Sequence, residues 1–227
     1  MAGSGTSAGA SPDEIDAAVA RAIERLSADG FVAYPTETVW GLGACADRAL
    51  AVDRLMGWKG RGSNAPLAVL AATPAQVEAL GCAIDARVER LIEACWPGPL
   101  MLVLPCTRSF ARGVAGEKGA LGVRCSPHPL SVRLATALAE AGLGPLTSTS
   151  LNRTGSPPAE TRADVSKVLA HLGNALEEPW LVEAGSLDAG GERPSTVVDC
   201  TGASLTILRE GAIPADRIEA VAHGDSE

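Results

Sequence analysis

Four places in this chain put hydroxyl, amide or cationic side chains beside glycine or proline where an apolar run ends. They are Thr36 and Thr38, then Lys59 and Arg61, then Arg124, and finally the set Ser150, Asn152, Ser195 and Arg209. Guanidinium and ammonium groups match phosphate and carboxylate oxygens, while short hydroxyls and an amide match a small polar ligand. Together they describe a pocket for a polyanion and a small polar molecule. Taken singly, each has a plainer reading as a solvated loop charge, a strand-end cation or a turn hydroxyl. Residues 34–43, YPTETVWGLG, organise the set. Phe31-Val32-Ala33 reads as a strand, which ends in Pro35, two threonines and Glu37 and then turns on Gly41 and Gly43. Open α/β sheets hold ligands at such strand ends.

The elements that must position these groups are legible in outline. Ser11-Pro12-Asp13-Glu14 is a capping box with proline in the first turn, and Ile15, Val19, Ala22, Ile23 and Leu26 recur at helical spacing, predicting a helix to about Ala28. Asp47 is placed to cap a second helix, which gives way to the glycine-flanked loop 57–62 carrying Lys59 and Arg61. Residues 66–70 and 100–104 read as buried strands, and 121–124 as a strand delivering Arg124. Helices are expected at 84–95, 130–141, from Thr161 and from Pro214, with further strands near 146, 180–182, 195–199 and 205–209. Early strands alternate with helices and late ones are separated by loops alone. That pattern predicts one α/β domain with a mixed sheet, over residues 13–222 behind a tail of 1–12.

Composition removes several classes. A chain of 227 residues, 46% hydrophobic and 20% charged, can bury a core without a staple. Its six cysteines form no C-x-x-C pair and it has three histidines, so the thiols read as buried groups in a reducing compartment. A net charge of −8 argues against a protein that coats nucleic acid. Residues 1–10 have neither a basic region nor an apolar core, which predicts a cytoplasmic protein with no membrane partner. Gly41-Leu42-Gly43-Ala44-Cys45-Ala46 fits a dinucleotide fingerprint in letters, but six residues separate it from its strand. Gly57 and Gly62 are spaced as in a phosphate loop, yet Ser63-Asn64 follow where Lys-Ser/Thr is required. No G-x-S-x-G elbow is present; His128 lies between two prolines, and His171 and His223 read as surface or packing residues on helices.

The strings YPTETVWGLG, WKGRGSNAPLAVL, WPGPLMLVL, GVRCSPHP, PLTSTSLN, PSTVVD and ILREGAI resemble, in that order, the YrdC-like threonylcarbamoyl-AMP synthases. The resemblance covers nearly the whole chain. It implies a single domain with a twisted mixed sheet around a concave positive cavity, and a reaction in which L-threonine, bicarbonate and ATP give threonylcarbamoyl-adenylate and pyrophosphate for tRNA modification. It also implies that Lys59, Arg61, Asn152 and Arg209 hold ATP, that Thr36 or Thr38 with Arg124, Ser150 and Ser195 hold threonine, and that Lys59 and Arg61 support catalysis. On this reading Arg124 offers the threonine carboxylate a two-pronged fork. Glu37 is either an orienting or metal-shell carboxylate or a structural one. Mg2+ is expected to ride on the phosphates rather than in a protein cage, and a tRNA or double-stranded RNA contact and downstream threonylcarbamoyl-transfer proteins are the implied partners. Trp40, Ala65, Leu70 and Leu151 depart from the family pattern. The rival reading is a non-catalytic RNA- or nucleotide-binding module built on the same cavity.

Overall fold

The computed structural model describes residues 9–60, 66–116, 119–170, 178–191 and 193–224. Helix α1 (Pro12–Ser27) starts as its letters require: Ser11 accepts from the Glu14 amide and the Glu14 carboxylate accepts from the Ser11 amide. Strands β1 (Phe31–Tyr34) and β2 (Gly41–Ala44) lead into α2 (Ala49–Lys59), β3 (Ala68–Ala71), α3 (Pro74–Ala79) and α4 (Ala86–Cys95). There follow β4 (Leu100–Pro105), β5 (Ala120–Cys125), α5 (Pro129–Glu140), β6 (Leu146–Ser150), α6 (Arg162–Ala170), β7 (Trp180–Leu181), β8 (Thr196–Asp199), β9 (Thr206–Arg209) and α7 (Ala215–His223). No helix among the described residues is long and apolar enough to cross a membrane.

The strands form one nine-stranded sheet in the order β7-β1-β2-β6-β3-β5-β4-β8-β9. It is mixed, because β1/β7, β3/β5 and β4/β8 are parallel and the other neighbouring pairs antiparallel. One face packs Phe31, Leu42, Val69, Leu102 and Val123 against Leu55 of α2, Leu91 of α4, Val165 of α6 and Ile218 of α7. The other packs Val32, Tyr34, Leu70 and Leu146 against Val19 and Leu26 of α1 and Leu130 and Leu134 of α5. Because side chains alternate along a strand, β1, β3 and neighbouring strands feed both layers.

The second layer leaves part of the sheet open. Along β4 burial alternates, with Leu100, Leu102 and Leu104 buried and Met101 and Val103 half-exposed. The run 100–104 therefore differs from the fully buried strand its letters suggest: one of its faces belongs to the core and the other to a cavity. Asp47 also differs from expectation, since the helix after it begins at Ala49 with Arg48 in the cap position and no side-chain cap. Its carboxylate is instead drawn to Arg108 at 2.5 Å.

Gly41 and Gly43 make no turn; they form β2, which pairs antiparallel with β1. The reversal is made by residues 35–40, and the glycines serve close approach. A Cβ on Gly41 would lie 2.8 Å from the Tyr34 ring, and one on Gly43 would lie 2.5 Å from the Thr147 carbonyl oxygen and 2.8 Å from Leu146 Cγ. Backbone on one side and a packed leucine on the other cannot both yield, so Gly43→Ala should cost about 3 kcal/mol by overpacking. Urea denaturation checks this, and a midpoint within error of the unsubstituted protein would show that β2 and β6 can separate cheaply.

Candidate active site

Strand register builds the floor of the site. Leu70 pairs with Arg124, Arg124 with Met101, Met101 with Val197, and Val197 with Arg209. Paired residues share a face, so two arginines stand in one row with Met101 and Val197 between them. Three strand steps separate their backbones by roughly 14 Å, a span that two long side chains can reach across. Burial, followed by the charge of Arg124, pushes the Arg209 guanidinium below its ordinary value. An anion placed between the two would relieve that repulsion.

The cavity above this row measures about 410 Å³ and brings together Thr38, Arg124, Ser150, Asn152, Ser195 and Arg209. Arg124 is 7% exposed. Its Nη2 donates to Glu37 Oε1 at 2.7 Å and to Thr38 Oγ1 at 3.0 Å. Both forked edges of a guanidinium use Nη2, so the free two-pronged fork expected of Arg124 is already half-engaged on either edge. Glu37 Oε2 accepts from Ser126 Oγ, which in turn accepts from the His128 amide at 3.2 Å. These contacts select the orienting alternative for Glu37, because both of its oxygens are used to hold Arg124 and Ser126. Burial lowers the pKa of His128, against smaller upward effects of the Asp188 carbonyl and the Glu37 and Asp188 charges.

Among the described residues, two atoms of this cavity are buried without a hydrogen-bond partner, Arg124 Nε and Ser195 Oγ. Buried polar atoms are nearly always paired, so a donor and a hydroxyl left over in one cationic cavity point to a ligand. Arg209 closes the far side, its Nε and Nη2 donating to the Ser195 carbonyl at 3.2 and 2.8 Å.

The other expected residues lie differently. Thr36 is fully buried behind the cavity; its hydroxyl donates to the Val39 carbonyl at 2.7 Å and lies 3.1 Å from that of Thr38. With its own proton committed, Thr36 accepts from Thr38 and so orients the hydroxyl that does face the cavity. Lys59 is the last residue of α2 rather than part of a loop, since the helix runs through Gly57 and ends at Gly60 with φ 62. Lys59 is 3% exposed. Its ammonium donates to the Ser150 carbonyl at 2.6 Å and to the carbonyl and Oδ1 of Asn152 at 3.1 and 2.9 Å. Ser150 Oγ also donates to Asn152 Oδ1 at 2.7 Å. Lys59 thus pins the turn carrying two cavity residues, and its replacement reaches the fold as well as the site. Lys59→Ala should lower stability by about 2–3 kcal/mol, the cost of stranding acceptors of a charged donor. Normal melting of that variant would overturn the assignment. Arg61 and Ala65 lie outside the described residues, as does His171.

Ser148 and Thr149 also line the cavity. The signal for Ser148 was in the letters, because Ser148 and Ser150 are two apart on one strand and share a face. The family departures point elsewhere: Trp40 Nε1 donates to Asp188 Oδ1 at 2.6 Å, and Leu151 is fully buried in the core. Leu70 lines a second cavity of about 310 Å³, where Arg108 is already paired with Asp47.

Comparison with known proteins gives a consistent result. The family model Sua5/YciO/YrdC, described as "Telomere recombination", matches residues 24–211. A threonylcarbamoyl-AMP synthase of Halorhodospira halophila is 36% identical over 191 residues, covering 84% of this chain and 93% of the relative. The crystal structure of P. abyssi Sua5 complexed with L-threonine is similar with a TM-score of 0.74 at 31% identity, over 92% of this chain. This chain spans 56% of that longer protein. E. coli YciO has a TM-score of 0.75 over 92% of this chain and 96% of its own, at 21% identity, which speaks for the fold alone.

Proposed function

The chain belongs to the Sua5/YciO/YrdC family, and from that premise we propose that it is an L-threonylcarbamoyladenylate synthase, condensing L-threonine, bicarbonate and ATP to threonylcarbamoyl-AMP and pyrophosphate. The observation that carries this reading is the pair of unpartnered buried atoms, Arg124 Nε and Ser195 Oγ, in a cavity whose other wall holds Arg209. The names of the relatives support it.

In this proposal the threonine carboxylate lies against Arg124, and Ser195, Ser150 and Thr38 meet its hydroxyl and amine. Thr36 and Glu37 act through their neighbours, orienting Thr38 and Arg124. The phosphates of ATP lie toward Arg209 and Asn152, with Lys59 holding the Asn152 turn and adding charge beneath it, and the family resemblance adds Arg61 to this set. The threonine amine adds to carbon dioxide, and a carbamate oxygen attacks the α-phosphorus in line while pyrophosphate leaves. No protein nucleophile is required. Bringing two anions together and offsetting the leaving-group charge is work for fixed cations, and positioning alone can contribute about 7–11 kcal/mol in favourable cases.

Mg2+ bound to ATP would supply neutralisation of the phosphate charge. Among the described residues no three carboxylate, histidine or cysteine side chains are grouped to hold a metal ion, and both Glu37 oxygens are engaged. The donor set therefore fits a metal that would be carried by the phosphates rather than by a protein cage. The labile product passes in the cytoplasm to threonylcarbamoyl-transfer proteins acting on tRNA, and a direct tRNA contact is the further partner of this reading.

Pyrophosphate release by the pure protein tests the function. It should require ATP, threonine and bicarbonate together, falling at least about tenfold when threonine or bicarbonate is withheld. ATP binding with no pyrophosphate under complete conditions would favour the rival nucleotide-binding module.

A further inference from the structure

Away from the cavity, an isolated antiparallel bridge sets Cys82 opposite Cys106. The flanking hydrogen bonds define its type: the Ala83 amide donates to the Pro105 carbonyl at 2.8 Å, and the Thr107 amide to the Gly81 carbonyl at 3.0 Å. Bonds made by the residues on either side, and none between the pair itself, mark the non-hydrogen-bonded kind of pair. In such a pair the Cα atoms lie about 4.5 Å apart and the side chains are at their closest. That separation lies within the roughly 4.4–6.8 Å that a disulfide spans. Cys106 Sγ donates to the Leu80 carbonyl at 3.0 Å. Cys82 is 8% exposed and Cys106 half-buried, so a reagent from solution reaches Cys106 first.

We propose that Cys82 and Cys106 form a redox modification site, which a small-molecule disulfide such as glutathione disulfide converts to an intramolecular disulfide. Cys106 loses its proton to solvent and its thiolate attacks one sulfur of the reagent, whose S–S bond breaks to release one glutathione thiolate. Cys82 loses its proton and attacks the Cys106 sulfur of the mixed disulfide, releasing the second thiolate. Two protein thiols are oxidised, one glutathione disulfide is reduced, and the two protons are taken up by the released thiolates. Burial, with the neighbouring Cys106, pushes the Cys82 thiol up to about 12, which keeps its thiolate scarce. Its fixed place beside the mixed disulfide offsets that scarcity.

The site is separate from the proposed chemistry. Met101, in the cavity, is five residues from Cys106 along extended chain, roughly 16 Å. The bond would close the segment 82–106, which includes α4, and act as a staple.

The full chain is incubated with glutathione disulfide, remaining thiols are alkylated, and the unreduced digest is mapped by mass spectrometry. A Cys82–Cys106 linked peptide is expected, with a rise in Tm of about 5–10 °C that dithiothreitol reverses. Cys82→Ser should instead trap a glutathione adduct on Cys106. A lasting adduct on Cys106 of the unsubstituted protein, a cross-link between other cysteines, alkylation of both thiols as in untreated protein, or a cross-link that leaves Tm unchanged or lower would each overturn the proposal.

Discussion

Arg124→Gln should lower kcat/KM for L-threonine by about a thousandfold, with most of the loss in KM. Removing one partner of a buried, hydrogen-bonded charge pair costs roughly 2–5 kcal/mol, and here the guanidinium is asked to serve two carboxylates. One is Glu37, held at 2.7 Å in the protein; the other is that of the proposed substrate. The single substitution also strands Glu37, so it confounds lost binding with a buried unpaired charge. Arg124→Gln combined with Glu37→Gln removes that confusion, because the two amides can bond each other. The double variant should regain stability while staying inactive. Recovery of activity in it would mean that Arg124 only neutralises Glu37 and meets no substrate. Glu37→Gln alone keeps a neutral acceptor for Arg124 and turns an amide donor toward Ser126 Oγ, and should raise KM for threonine several-fold at nearly constant kcat.

The second large effect is in substrate choice. Valine has the shape of threonine without its hydroxyl, and should be used at least about a hundredfold less well. Ser195 Oγ is buried without a partner, and Thr38 Oγ1 is held by Thr36 and Arg124. A methyl group cannot pair with Ser195 Oγ, so valine leaves that desolvated hydroxyl unsatisfied while Thr38 keeps its protein partners. Serine keeps the hydroxyl and loses a methyl, which is worth about 1–3 kcal/mol in an apolar pocket. It should therefore be the better alternative substrate. The measurement is kcat/KM for the three amino acids at saturating ATP and bicarbonate. Valine equalling serine would show a pocket that reads shape, and would remove Ser195 and Thr38 from the substrate.

Local letters carried local structure. The Ser11–Glu14 box starts α1, Thr161 and Asp164 exchange hydrogen bonds at the start of α6, and Pro214 precedes α7. These features depend on atoms three or four residues apart, so the chain specifies them without a tertiary partner. The alternation of early strands with helices gave the mixed α/β class, and ordered motifs gave the family, because both survive any error in where an element ends. The residue types of the cavity were equally legible: cations and hydroxyls at strand ends are a property of composition and spacing.

Only the tertiary structure decided how those residues are used. An apolar run such as 100–104 has the same letters whether one or both of its faces are covered, and the choice was made by where α1 and α5 lie. Gly41 and Gly43 read as a turn until β6 and Tyr34 are placed against them. Lys59 lies 93 residues from Asn152, and Arg124 lies 87 from Glu37. No periodicity encodes such pairs, since folding brings together groups whose spacing along the chain is arbitrary. The sequence by itself determined which chemistry the chain carries; the packing of distant strands determined which charges are spent on holding the site together and which face its cavity.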